Sequence, residues 1–155
     1  MPVKAIPFIY AGIFAVILIN IVPRKEIRRL FIYGLIFGGI FDIIVVGLGN
    51  LLGEFKYINY EPYGLLGIHI MAPISWSIYF IIYFYLLPKK KLYLYIYVTV
   101  AFYYSILFCQ MLAKLGVITL NHGIIDSTVP FLIWYPTATW GYYRLTKNDS
   151  RLQDT

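Results

Sequence analysis

Charge and cysteine are what this chain has least of. Only 13% of its 155 residues are charged, with seven acids and two histidines, and Cys109 is its single cysteine. One cysteine in an apolar run excludes an intramolecular disulfide framework. So few charges leave too little polar surface to cover a soluble globule. Zinc-hydrolase spacings such as H-x-x-x-H or H-E-x-x-H are absent, and no serine sits in a strand-turn-helix nucleophile elbow. His69, His122, Asp126 and the two glutamates Glu54 and Glu61 are of metal-binding type, but their spacing is unspecific. No metal and no cofactor is assigned.

What is present is apolar: 61% hydrophobic residues and 19% aromatic, with a mean hydropathy of +0.74. Five apolar stretches, 5–22, 30–52, 65–87, 92–113 and 124–145, are 18 to 23 residues long. At about 1.5 Å per residue each covers about 27 to 34 Å, the thickness of a bilayer's hydrocarbon core. The first begins after Lys4 but runs on to Pro23 without a small-residue cleavage site, so it reads as a retained helix rather than a signal peptide.

Basic residues divide unequally between the connecting segments. Ten of the 13 (Arg24, Lys25, Arg28, Arg29, Lys89, Lys90, Lys91, Arg144, Lys147 and Arg151) fall in one alternating set, and only Lys4, Lys56 and Lys114 in the other. Basic residues in short loops stay on the cytoplasmic side. The expectation is an all-α integral membrane bundle of five transmembrane helices, N-terminus outside and C-terminus inside. Residues 1–145 would form one transmembrane domain and 146–155 a polar cytoplasmic tail. The net charge of +6 lies in clusters beside the spans, where anionic lipid headgroups are the natural partner and nucleic acid is not.

The second span carries the most structured pattern. Gly34, Gly38, Asp42, Gly49 and Gly53 share one helical face with two G-x-x-x-G spacings, a surface suited to close helix packing. The spacing leaves open whether that contact lies within the chain or in a homo-oligomer. Asp42 lies near the bilayer centre, where an exposed carboxylate costs on the order of 3 kcal/mol or more, so it is a candidate ligand-binding or proton-handling group.

On the third span His69, Pro73 and Ser77 share a face, and Pro73 is expected to kink the helix by freeing the carbonyl of His69. His69, Gln110 and Asp126 fall at similar depth, just inside the outer ends of their spans. They are read as one outer polar cluster in which His69 and Asp126 form a hydrogen-bonded pair within reach of Gln110. The competing reading has Asp126 capping the fifth helix from its first turn. Tyr83, Tyr85, Tyr93, Tyr95 and Tyr97 near the triple lysine, with Trp140, Tyr142 and Tyr143 before Arg144, read as an interfacial aromatic belt.

The length, the F-x-Y segment at Phe55 to Tyr57, the Tyr85-Leu86-Leu87-Pro88 turn and the Trp134-Tyr135 and Trp140 cluster before a basic tail resemble a group of uncharacterised small five-span membrane proteins from Gram-positive spore-forming bacteria. The resemblance implies a bacterial plasma-membrane location and carries over no catalytic residue. The function expected is a non-enzymatic component for helix association or small-ligand sensing, acting alone, as a homo-oligomer or with a membrane-protein partner. A proton-coupled or substrate-conducting carrier and a membrane-embedded lipid-modifying enzyme are the alternatives.

Overall fold

The computed structural model describes residues 2–65 and 67–147. Arg151 and most of the expected tail lie outside them.

Among the described residues the chain forms five helices. The first, α1 (Ile6–Ile21), follows a 3-10 turn at Val3–Ala5. Pro23 forces Val22 into extended backbone and so ends it. Helix α2 (Arg24–Leu52) starts at once and runs for 29 residues, so the Arg and Lys expected in a loop form its first turns. It stops at Gly53, whose φ of +72° is left-handed. There the N–H groups of Gly53 and Glu54 turn back to the carbonyls of Asn50 and Gly49, a closure that favours glycine. Next come α3 (Met71–Tyr85), α4 (Lys91–Lys114) and α5 (Ile124–Lys147), the last continuing through Pro130 and Pro136. Val3–Ile21, Arg24–Leu52 and Lys91–Lys114 are long and apolar enough to cross a membrane. Exposed Ile13, Val16, Ile19, Leu107, Leu132 and Ile133 give the bundle the apolar exterior that membrane insertion requires.

The connections at one end are not plain loops. Strand β1 (Phe55–Tyr57) pairs antiparallel with β4 (Ile118–Leu120), with Lys56 opposite Thr119. Strands β2 (Gly64–Leu65) and β3 (Ile68–His69) form a hairpin. These strands cap what is called here the strand end; the opposite end carries Arg24 to Arg29, Lys89 to Lys91, Arg144 and Lys147.

The hairpin corrects the expected third span. Residues 65–70 precede the helix, which is 15 residues long, or about 22 Å. Pro73 therefore sits in the first turn of α3, where a missing N–H breaks no helical bond, and the kink expected from a free His69 carbonyl has no basis. The short α3 is the centre of the bundle, with Ala72, Ser75, Trp76, Phe80, Ile81, Tyr83 and Phe84 all buried.

Close approach of α2 to α3 follows from the glycines. A Cβ on Gly34 would stand 2.7 Å from the Ser77 carbonyl oxygen, and one on Gly38 2.6 Å from the Trp76 carbonyl carbon. Over Leu35–Ile40 α2 widens into a π-helical stretch, which turns Gly38 and Gly39 together toward α3. A π turn disturbs the regular carbonyl pairing, and the carbonyl of Phe37 takes a hydrogen bond from Trp134 Nε1 of α5 at 2.5 Å. The other two glycines differ from expectation. Gly49 faces Phe55 of β1 rather than a helix, and Gly53 has nothing within 4 Å of a Cβ; its role is the helix stop.

The belt expectation also divides. Tyr85, Tyr93, Tyr95, Tyr143 and Trp140 are exposed, whereas Tyr83 is buried in the core and Tyr97 and Tyr142 are half-buried against it. Tyr142 stacks on Phe84 at 4.5 Å between centroids.

Candidate functional site

Asp42 projects from the middle of α2 and is 2% exposed. It lines a cavity of about 60 Å³ together with Val46, Gly49, Trp76, Cys109, Asp126, Ser127 and Trp134, and Glu54 and Tyr57 of the strand end close over it. That is room for a few water-sized groups. Among the described residues the Asp42 Oδ2 atom has no hydrogen-bond partner. A buried polar atom left in this state costs on the order of 1 to 3 kcal/mol, so such atoms mark places where a bound molecule is to be sought.

Tyr57 shows how closed the site is. Its phenol is pushed well above the ordinary tyrosine range, first by burial and then by Tyr10, Asp42 and Cys109 beside it. Four chain segments thus converge around one carboxyl. Their convergence comes from the β1–β4 pairing, since the register that sets Tyr57 opposite Ile118 holds the Tyr57 ring inward over the bundle at 4% exposure.

A second depression adjoins the first. The groove between the outer face of α2 and α5 is walled by Ile44, Leu48, Val129 and Ile133 and shares Val45, Gly49, Glu54, Asp126 and Pro130 with the inner cavity. Pro130 has no N–H, so the carbonyl of Asp126 lacks its helical donor at the junction of the two. The combined site is an apolar lateral groove ending in carboxyls and in the faces of Trp76, Phe131 and Trp134.

The expected outer cluster is rearranged. Asp126 does not pair with His69. Its Oδ2 accepts the His122 N–H at 2.7 Å, and its Oδ1 lies 3.3 Å from His122 Nδ1. This is an N-terminal capping arrangement, reaching back from the first turn of α5. Gln110 reaches the neighbouring residue, its Nε2 donating to Ser127 Oγ at 3.1 Å. His69 lies in β3, 1% exposed, packed against the rings of Phe8, Tyr57 and Tyr63. Its Nδ1 accepts the Met71 N–H at 3.2 Å, and Nε2 has no partner among the described residues. Burial pushes this imidazole below its ordinary pKa. His69 shares no cavity with Asp42.

Of the candidates, then, Asp42 and Asp126 line one cavity, Gln110 braces its wall and His69 stands apart. Sequence reasoning missed Tyr57, Trp76, Cys109 and Trp134. The strand pairing brings Tyr57 over the site, and the π-helical stretch meets Trp76 and Trp134; neither leaves a periodic signal. Among the described residues no group of three or more His, Cys, Asp or Glu side chains is placed to hold a metal ion. Comparison with protein-family models, curated proteins and solved structures finds no match to this chain.

Proposed function

We propose that this is a five-span protein of a bacterial plasma membrane, N-terminus outside, that senses a small amphiphile with a cationic head. The head would be held at Asp42 and the tail in the groove between α2 and α5. The basic asymmetry supports the orientation, because the strand end keeps only Lys4, Lys56 and Lys114. For the crossing by α3, support comes from its place at the centre of the bundle, with seven of its 15 residues buried among helices long and apolar enough to cross a membrane.

The observation that carries the ligand reading is the unpartnered, buried Asp42 Oδ2 at the end of a cavity that adjoins a lateral groove. An ammonium head brings the N–H donors that this atom lacks, and the Trp76 indole lining the same cavity adds cation–π attraction. Two further observations favour binding over transport or catalysis. Toward the basic end the way is filled by Phe80, stacked on Trp134 and Tyr135 with centroids 5.6 and 5.8 Å away. The His69–Asp126 pair on which the lipid-modifying reading rested is not formed, since Asp126 meets His122 instead. The glycine face that suited an oligomer is occupied by α3 of the same chain.

The test uses dodecylamine, dodecanol and dodecanoate on the protein in nanodiscs, read as thermal stability and by tryptophan fluorescence. Dodecylamine is expected to raise the midpoint and quench fluorescence, the alcohol weakly and the carboxylate not at all. Asp42→Asn should abolish the preference for the amine. An equal response to all three probes, or an amine preference intact in Asp42→Asn, would refute the assignment.

A further inference from the structure

At the basic end a second cavity, of about 780 Å³, opens between the start of α2, the end of α3 with its following link, and the end of α5. It is unrelated to the Asp42 site and far more polar. Three cations line it, Arg29, Lys89 and Lys147, together with Tyr33, Tyr143 and Thr146. Glu26 is paired with Arg29 at 2.5 Å, and Lys89 and Lys147 make no ion pair among the described residues. Among the described residues two of the three positive groups are therefore uncompensated within one concave site.

The neighbouring cations are disposed otherwise. Lys90 lies over the Tyr93 ring and Arg144 over the Trp140 ring, 6.0 and 5.7 Å from their centroids, on aromatic side chains that are themselves exposed. The link that carries Lys89 is held in place, because Tyr143 donates its hydroxyl to the Pro88 carbonyl at 3.1 Å. The back wall is apolar, formed by Leu30, Phe84 and Leu87. Cations at the rim, hydroxyl oxygens of Tyr143 and Thr146 able to accept from a glycerol hydroxyl, and an apolar wall behind match a phosphodiester joined to a glycerol and the start of an acyl chain.

We propose that this cavity binds the phosphate head of an anionic phospholipid from the adjacent leaflet. The cations meet the phosphate, the hydroxyls meet the glycerol, and the first acyl carbons lie along half-buried Leu87 and exposed Tyr85. The site needs a membrane but not the ligand reading given above, so either can fail alone.

The test is lipid retention by native mass spectrometry after release from nanodiscs of phosphatidylcholine with a minor fraction of phosphatidylglycerol, beside thermal stability in the same discs. Phosphatidylglycerol is expected to be retained preferentially and to raise the midpoint. The double variant Lys89→Gln/Lys147→Gln should lose about tenfold of that preference, a loss in keeping with juxtamembrane lysines near an anionic surface. Lys90→Gln/Arg144→Gln removes the same charge from the same end outside the cavity and should keep most of it. Equal losses in the two variants would mean diffuse surface attraction and overturn the proposal, as would an unchanged preference in the first. A third arm adds inorganic phosphate to pure phosphatidylcholine discs. No stabilisation is expected, and a shift equal to that given by phosphatidylglycerol would assign the cavity to free phosphate and overturn the lipid source.

Discussion

From the middle of the bundle toward the basic end, buried hydroxyls find one another. Ser105 Oγ lies 2.6 Å from the Tyr135 hydroxyl, which donates to the Tyr79 hydroxyl at 2.9 Å, and the Tyr83 hydroxyl lies 2.7 Å from Thr139 Oγ1. In the half toward the strands, Asp42 Oδ2 and His69 Nε2 are buried with no partner among the described residues. The first half is closed upon itself by stacked rings; the second keeps polar capacity in reserve beside a cavity. Groups that are satisfied internally specify a packing, whereas those that are not lower stability and are retained for something bound. The proposed recognition belongs to the second half.

Between the halves lies the contact of α2 with α3, and breaking it should have the largest effect. Gly38→Leu would drive a branched side chain into the Trp76 backbone, where even a Cβ is closer than atoms allow. Folded protein surviving detergent extraction should fall several-fold by size-exclusion chromatography. Ile40→Leu, at a half-exposed apolar position, should be nearly silent. Gly12→Ala, with nothing within 4 Å, should be neutral or stabilising by about 0.5 to 1 kcal/mol, the helix cost of glycine. Equal tolerance at all three positions would dissolve the boundary between the halves.

A sharper test compares signs. Tyr135→Phe removes a hydroxyl that serves two others and should destabilise by about 1 to 2 kcal/mol. Asp42→Leu removes an unpartnered carboxyl and fills apolar space beside Val46 and Trp76, so it should stabilise by an amount of similar order. Both are read as midpoints of thermal unfolding in detergent. Asp42→Leu behaving like Tyr135→Phe would mean that the Asp42 carboxyl is structural, and the comparison would collapse.

The helical class and the long apolar helices were legible in the sequence because apolar length is a strong, additive signal. The inward placement of Asp42 was legible too, since a carboxyl and small residues shared one face of α2. Other features depend on tertiary partners. The β1–β4 pairing joins segments more than 60 residues apart, and neither FKY nor ITL announces its partner. Pro73 was misread because the helix start was set by hydropathy, which continues unbroken through Ile68 and Ile70, whereas the hairpin is set by the left-handed turn at Gly67. His69 and Asp126 were paired on similar depth, on the cost of leaving either in lipid and on the opening expected at Pro73, none of which fixes azimuth. The His122 backbone, four residues away on the same chain, was the nearer donor for Asp126.

The smallest effect expected is a pH dependence that belongs to the strand end. His69 lies outside the five helices, buried against Phe8, Tyr57 and Tyr63, with Nδ1 already accepting the Met71 N–H. A proton on Nδ1 would break that bond and place a charge among aromatic rings, and burial accordingly holds the imidazole below its ordinary pKa. The unfolded chain, with an ordinary histidine, then binds the proton more readily than the folded one. Stability is therefore complete above the ordinary value and is lost as pH falls through it toward the depressed folded value. Between about pH 8 and about pH 5, the range in which histidine titrates, the thermal midpoint of the wild type should decline. His69→Phe keeps a ring in the same aromatic setting without a titrating nitrogen and should flatten the decline. A slope unchanged in His69→Phe would place the titrating group elsewhere and leave the His69 Nε2 without a measurable part in the contrast between the halves.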